Sequence, residues 1–534
     1  METPLTPLEF QRRARALYGD RECVIDGDIR LTYEQFFARC DRWSAALRRL
    51  GVGKGDRVAY LALNTHSHLA SFFAVPQIGA VLVPINFRLK PPEIAYILQH
   101  CGATVVCASA DFLETVEAVR ASCPSIERCV ALEGAHDGWL DYEQLLAAET
   151  GAFDGPAPGC ESRVERVEID ERDLLTINYT SGTTSRPKGV MITHRNAYMN
   201  AIGTLVHVPM TCEDRYLWTL PMFHANGWTF PWIVTAVGGV HICLRKVEPV
   251  QAFRLIRDER ATMLCAAPTV LIGLARCPAA ERGDVPRGVR VLTAGAPPAA
   301  ATIQRVEGEF GWDLTHVYGL TETAPFITVC EPRPEHAALS LEDRSVVKAR
   351  QGVELITSGE LRVVDEDDTP VPRDAHTLGE IVVRGNVVMD GYYDDPEATA
   401  QAMRGGWFHS GDAAVVHPDG YIEIRDRFKD VIISGGENIS SVEVEGVLMR
   451  HAAIQEVAVV GMPDPTWGET PHAFVVLSPG ATLTEAEVIE YAREQMANFK
   501  TPRHVELVDE LPKTATGKIQ KYILRRGRAA IATQ

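Results

Sequence analysis

The chain has 534 residues, 46% hydrophobic and 23% charged, the balance of a globular protein too long for one core, so two or more domains are expected. A net charge of −18 argues against a nucleic-acid partner, which needs a cationic face, and no apolar run is long enough to span a membrane. The opening METPLTPLEF lacks the pattern of a signal peptide and the closing AAIATQ lacks a peroxisomal tripeptide, so a cytoplasmic protein is expected.

In chain order, TYEQFFARCDRWSAALRRLG (32–51) has apolar residues at three- and four-residue steps and predicts a helix that Gly51 ends. RVAYLAL (57–63), AVLVPI (80–85), ATVVCA (103–108) and RCVAL (128–132) read as buried strands. Strand–helix alternation of this kind predicts an α/β fold with doubly wound parallel sheets and helices on both faces. His66 and His68 form an H-x-H with no further ligand nearby, which reads as a surface or helix-start pair rather than a metal site. LLTINY leads into YTSGTTSRPKGV (179–190), and VMITH leads out as another strand. After Tyr318, the segments GELRVVD, GEIVVRG and GYIEIRDR alternate between turn residues and predict an antiparallel sheet or a β-barrel-like part. The acidic VDEDDTPVPRD (364–374) between them reads as a solvated loop. From about residue 430 a smaller α/β unit is expected, with SVEVEGVLMRH and EAEVIEYAREQM as helices and EVAVVGM and AFVVL as strands. The twelve cysteines run from Cys23 to Cys330 without a C-x-x-C pair, so reduced, mostly buried thiols are expected.

YTSGTTSRPKGV has the glycines, hydroxyls and cations of a phosphate cradle, but not the order of a P-loop. Lys188 precedes Gly189, and a strand rather than a helix follows, so no helix dipole stands behind the loop. Taken alone, the stretch also reads as a plain surface loop. Further motifs follow it: PMFHANGW (221–228), TAGAP (293–297), YGLTE (318–322), WFHSGD (407–412), GYIEIRDRFKDVI (420–432), SGGENIS (434–440) and LPKTATGKI (511–519). Each has a bland reading: Glu322 as a solvated helix start, Arg427 as half of a surface ion pair, Lys518 as a solvated charge, and Trp228, Phe230 and Trp232 as core.

As an ordered set, these motifs resemble the adenylate-forming superfamily of acyl-CoA synthetases, luciferases and peptide-synthetase adenylation domains, over nearly the whole chain. PMFHANGWTFPW and LTPLEF resemble the fatty acyl-CoA synthetases, on a branch that also holds benzoyl- and methylthiopropionyl-CoA ligases. The resemblance implies ATP, Mg2+ and coenzyme A as co-reactants and a free carboxylic acid as substrate. It places Thr180, Ser181, Gly182, Thr183, Thr184 and Lys188 around the β- and γ-phosphates. It implies that Tyr318 stacks on adenine opposite Gly295, Ala296 and Pro297, with Gly319 beside it. Thr321 then meets the α-phosphate, Glu322 and Thr183 the metal, and Asp412, Ile424 and Arg427 the ribose side. His224, Trp228 and Gly319 border the acyl pocket by the same resemblance. Position 185 departs from it: Ser185 stands where the family usually has glycine.

The implied organisation is an N-terminal ATP- and acyl-binding domain over 1–428, a hinge at Lys429 and a mobile C-terminal domain over 430–534. One face of that small domain offers Lys518 for adenylation. The other offers Gly435, Gly436 and Glu437 at the passage for coenzyme A. The catalytic set is thus Lys518, Thr183, Glu322 and His224. The expected function is a fatty acid–CoA ligase that forms AMP. The alternatives are an aryl or methylthiopropionate-type ligase, the loading of a separate carrier protein, or a nucleotide-sensing relative without catalysis. A homodimer, and a lysine acetyltransferase acting on Lys518, are the further partners considered.

Overall fold

The computed structural model describes residues 2–149, 167–180, 187–427, 430–434, 437–513 and 519–529. Two large sheets carry the N-terminal part. In the first, strand Arg57–Leu61 lies parallel between Val81–Pro84 and Val105–Ala108, and Arg128–Ala131 continues outward. Leu174–Thr180 joins the other side through Leu82↔Thr176, and Lys188–Thr193 runs antiparallel to it. The second sheet is parallel from Glu22–Asp26 through Asp313–Gly319 and turns antiparallel at Phe326–Val329. The parallel strands are apolar on both faces because helices cover both, as the near-complete burial of Val58 to Leu61 and Val81 to Pro84 shows.

The helix expected at 32–51 is Tyr33–Arg49. Thr32 and Gln35 form a capping box at its start, Arg48 and Arg49 occupy its last turn, and Gly51 follows with φ of 95°. Its inner face carries Phe36, Phe37 and Trp43, all at or below 1% exposed, and Trp43 Nε1 donates to Tyr60 Oη at 2.7 Å. That bond fixes the helix on its sheet. The main core continues from there between the two sheets through Phe72, Phe73 and Trp232.

The antiparallel part is a four-stranded sheet of Glu360–Val364, Gly379–Arg384, Phe408–Val416 and Ile422–Arg427. Asp365 to Asp368, from the acidic stretch, are exposed as expected of a solvated loop. The last unit is a five-stranded sheet whose long pair, Ile454–Asp464 and Gly468–Leu477, packs against helices Ser441–Leu448 and Glu485–Gln495. The whole is a mixed α/β architecture with a large N-terminal and a small C-terminal part.

His66 and His68 open the helix His66–Ala74 and are buried rather than superficial. The eleven described cysteines are free, and all but Cys212 are buried. Burial pushes the Cys101 and Cys129 thiols up to about 11, which keeps them protonated and inert. Among the described residues no helix is long and apolar enough to cross a membrane.

Candidate active site

The strands Leu174–Thr180 and Lys188–Thr193 pair as a hairpin on either side of the stretch expected to meet phosphate. Thr180 and Lys188 face each other as its last described register pair. Ser181, Gly182, Thr183, Thr184 and Ser185 lie outside the described residues. The described ends of the stretch thus form a strand pair, and the cation at its edge, Lys188, is a side chain on a strand and not the end of a helix. Lys188 Nζ stands 4.6 Å from the centroid of the Tyr392 ring. Tyr392 is in place because Gly391–Tyr392 pairs with the same strand, Tyr392 opposite Val190, and Tyr393 N donates to Gly189 O at 2.7 Å.

Strand Asp313–Gly319 delivers the second group. Tyr318 is 9% exposed and its hydroxyl donates to Asp412 Oδ2 at 2.6 Å, across 94 residues of chain. Asp412 Oδ1 takes Arg427 Nε at 2.6 Å, and the two residues are register partners in the antiparallel sheet. Burial, then the neighbouring Asp412, pushes the Tyr318 phenol well up, so it remains a donor. A carboxylate has about four lone-pair sites, so Asp412 keeps capacity for further donors such as two hydroxyls. Ile424 lies in the Arg427 strand, half-buried, its N–H donating to Gln351 Oε1 at 2.6 Å. Gly295, at φ of 92°, and Ala296 are exposed, and Pro297 is half-buried, just past the strand that lies parallel to that of Tyr318.

Beyond Gly319 the chain makes a tight turn, Thr321–Thr323, that carries Thr321 and Glu322. A Cβ on Gly319 would sit 1.8 Å from Pro325 O, so only glycine lets the turn close. Glu322 Oε1 accepts from Tyr392 Oη at 3.0 Å; among the described residues Oε2 accepts nothing. Helix His194–His207, directly after the hairpin, braces both pieces. Asn200 Nδ2 donates to Thr323 O and Phe326 O, and Asn196 Nδ2 to Asn386 O and Val388 O.

His224 begins a run in which Ala225, Asn226, Gly227, Trp228 and Thr229 all have positive φ, from 36° to 68°. Side chains other than glycine's pay for that conformation, so the fold must impose it. Asn226 does so by donating to Thr176 Oγ1 at 2.8 Å and accepting from Asn178 Nδ2 at 3.1 Å, both on the strand that leads into the phosphate loop. Trp228 is 3% exposed and its ring meets that of Phe326 at 5.4 Å and 70°. Phe326 is in turn the register partner of Gly319. The acyl-pocket residues expected from the sequence are therefore contiguous with the YGLTE turn.

Not every expected residue joins this cluster. Glu437 is exposed on the small unit, paired with Ser434, and among the described residues nothing ties it to Tyr318 or Glu322. Lys429, Gly435, Gly436 and Lys518 lie outside the described residues. Conversely, Asn196, Asn200 and Tyr392 were not singled out in the sequence. GYY at 391–393, a turn glycine and two aromatics before a proline-initiated helix, was the one available signal.

Residues 10–393 match the AMP-binding enzyme family, and residues 443–518 match the AMP-binding enzyme C-terminal domain. The chain belongs to the AMP-binding enzyme family. It is 43% identical to 4-hydroxybutyrate–CoA ligase 2 of Metallosphaera sedula, covering 99% of this chain and 96% of that one. It is 39% identical to the peroxisomal trans-cinnamate:CoA ligase of Petunia hybrida, over 98% and 94%. The crystal structure of the anthranilate CoA ligase AuaEII with anthranoyl-AMP superposes with a TM-score of 0.87 at 27% identity, covering 100% of both chains. As an AMP-binding enzyme the chain is an ATP-dependent acid–CoA ligase that works through an adenylate, with ATP, Mg2+ and coenzyme A.

The residues present suit Mg2+. Among the described residues no three His, Cys, Asp or Glu side chains gather to hold a metal by themselves. Among the described residues Glu322 is a single carboxylate with one oxygen that accepts no hydrogen bond, and a lone carboxylate completed by phosphate oxygens is a donor set that suits Mg2+.

Proposed function

We propose that this AMP-binding enzyme activates a carboxylic acid with a short or aryl body and passes it to coenzyme A. The observation that carries this reading is the linked set Tyr318–Asp412–Arg427, followed along the chain by Glu322, which Tyr392 joins to Lys188, and by Phe326, on which Trp228 packs. Asp412 holds the ribose hydroxyls, with Arg427 and Ile424 beside it. Tyr318 and Gly319 face adenine across from Gly295, Ala296 and Pro297. Thr180, Ser181, Gly182, Thr183, Thr184 and Lys188 hold the β- and γ-phosphates, and Thr321 the α-phosphate. Glu322 and Thr183 would hold Mg2+, which when bound would supply positive charge against the phosphate oxygens.

A carboxylate oxygen attacks the α-phosphorus and the bond to pyrophosphate breaks. Lys518 and Lys188 offset the anionic charge gathered there. The coenzyme A sulfur then attacks the acyl carbon, and AMP leaves with the C–O electron pair. The domain boundary near 429, with Lys429 as hinge, lets the small domain bring Lys518 for the first step and Gly435, Gly436 and Glu437 for the second.

The length of the acid follows from Trp228. Its ring is buried against Phe326, and in this reading that bulk limits the length of the acyl chain. The relatives named for 4-hydroxybutyrate and cinnamate support the same size class. The sequence alone pointed to fatty acids, and these remain the competing substrate. A cytoplasmic location belongs to this reading, against a relative whose name is peroxisomal. The test is a panel of acids, from propionate through octanoate to laurate plus benzoate and cinnamate, assayed for acyl-CoA. Higher kcat/KM for laurate than for every short or aryl acid refutes the size assignment. No acid-dependent ATP–pyrophosphate exchange at all refutes the function.

A further inference from the structure

Lys188 and Glu322 carry opposite charges into one small site, and each has a task that pairing with the other would block. A lysine that meets phosphate must present its ammonium, and a carboxylate that meets Mg2+ must present an oxygen. The structure keeps them apart with a single side chain. Tyr392 offers its ring face to Lys188 Nζ at 4.6 Å and donates its hydroxyl to Glu322 Oε1 at 3.0 Å.

We propose that Tyr392 is a positioning residue for adenylation, an aromatic spacer that aims Lys188 with its face and Glu322 with its hydroxyl. The ring attracts the ammonium without neutralising it, because a cation–π contact leaves the charge and its N–H donors available. The hydroxyl fills one carboxylate oxygen and leaves Oε2 for the cation. Tyr392 is itself held by two backbone contacts, and its segment by a third. It is 9% exposed and pairs with Val190 in the strand that begins at Lys188. Tyr392 N donates to Thr399 Oγ1 at 2.9 Å. Met389 N donates to Glu322 O at 2.8 Å, so the segment that carries Tyr392 also grips the backbone of the residue its hydroxyl orients. The phosphate loop between Thr180 and Lys188 thus shares its base with the metal carboxylate through one ring.

This inference rests on the reading of the site as one for MgATP. The test is calorimetric titration of the full-length protein with ATP, once with Mg2+ and once with EDTA, on wild type, Tyr392→Phe and Tyr392→Leu. Tyr392→Phe keeps the ring and should leave binding in EDTA unchanged. It should weaken binding in Mg2+ about tenfold, the low end for losing a hydrogen bond to a charged group. Tyr392→Leu should weaken both. Repeating Tyr392→Phe in a Glu322→Gln background should add nothing, because the hydroxyl acts through the carboxylate. Transfer from supplied acyl-AMP to coenzyme A should stay within about twofold in Tyr392→Phe, since the β- and γ-phosphates have left as pyrophosphate by then. An unchanged Mg2+ increment in Tyr392→Phe, or an equal effect with and without Glu322, overturns the spacer role while leaving MgATP binding intact. Wild type that binds no ATP in either buffer overturns the underlying reading as well.

Discussion

Asp412→Asn separates nucleotide recognition from fold stability. Asp412 is 4% exposed and accepts from Tyr318 Oη and Arg427 Nε, each at 2.6 Å. The amide can keep both contacts in form, its oxygen toward Arg427 and its NH2 toward a rotated Tyr318 hydroxyl. What it loses is charge. Removing one partner of a buried ion pair costs about 3–5 kcal/mol, but the Arg427 side chain is 38% exposed and water can share its charge. The expected loss of stability is therefore about 1–2 kcal/mol, read as a lower urea midpoint. Catalysis should suffer more. Hydrogen bonds to a charged acceptor exceed neutral ones by about 1 kcal/mol each, so two ribose hydroxyls give about 2 kcal/mol, or roughly 30-fold in kcat/KM for ATP. ATP–pyrophosphate exchange measures it, with 2′,3′-dideoxy-ATP as control. The variant and wild type should differ little with the dideoxy nucleotide. An equal loss with both nucleotides would refute the ribose assignment and move the effect into the fold.

His66 lies in a buried ion cluster, its Nδ1 2.7 Å from Asp26 Oδ2, with Arg245 beyond Asp26 and Glu143 and Arg39 on its other side. Burial opposes its charge, yet the bonds to Asp26 and Glu143 prevail and raise its pKa, while Asp26, likewise against burial, is lowered by His66. The His66 share of stability is full below about 6.5 and lost as pH rises past the raised value; the Asp26 share is present above about 4 and lost as pH falls, so His66→Gln should cost more at pH 6 than at pH 9 in urea titrations. Gly319→Ala places a Cβ 1.8 Å from Pro325 O and 2.8 Å from Phe326 Cα. The turn with Thr321 and Glu322 must then shift, and adenylation should fall about 100-fold or more, as misplacement by about an ångström typically costs. Trp228→Leu should open the pocket toward Phe326 and move the preferred acid to longer chains in the acyl-CoA panel; an unchanged ranking would show that Trp228 does not set length. Lys518→Ala should lower adenylation about 100-fold or more while transfer from supplied acyl-AMP is nearly unchanged, measured as paired half-reactions.

Much of this was legible along the chain because local physics dictates it. Alternating apolar runs and amphipathic stretches pointed to the α/β class, and apolar spacing with Gly51 marked the helix that the structure places at Tyr33–Arg49. The strand signals on both sides of YTSGTTSRPKGV set that stretch between two strands, which the structure pairs as a hairpin. The ordered set of motifs that holds Tyr318, Glu322, Asp412 and Arg427 carried the resemblance to the family, and the resemblance implied the chemistry. Periodicity reports which face of an element is buried, not which distant strand end it meets. Hence only the tertiary structure joined Tyr318 to Asp412 across 94 residues, and placed Tyr392 between Lys188 and Glu322. The same holds for the left-handed run at Ala225 to Thr229. No propensity favours it, and it stands because Asn226 is held by Thr176 and Asn178 from a strand some fifty residues earlier, a contact that strand pairing decides and sequence order does not.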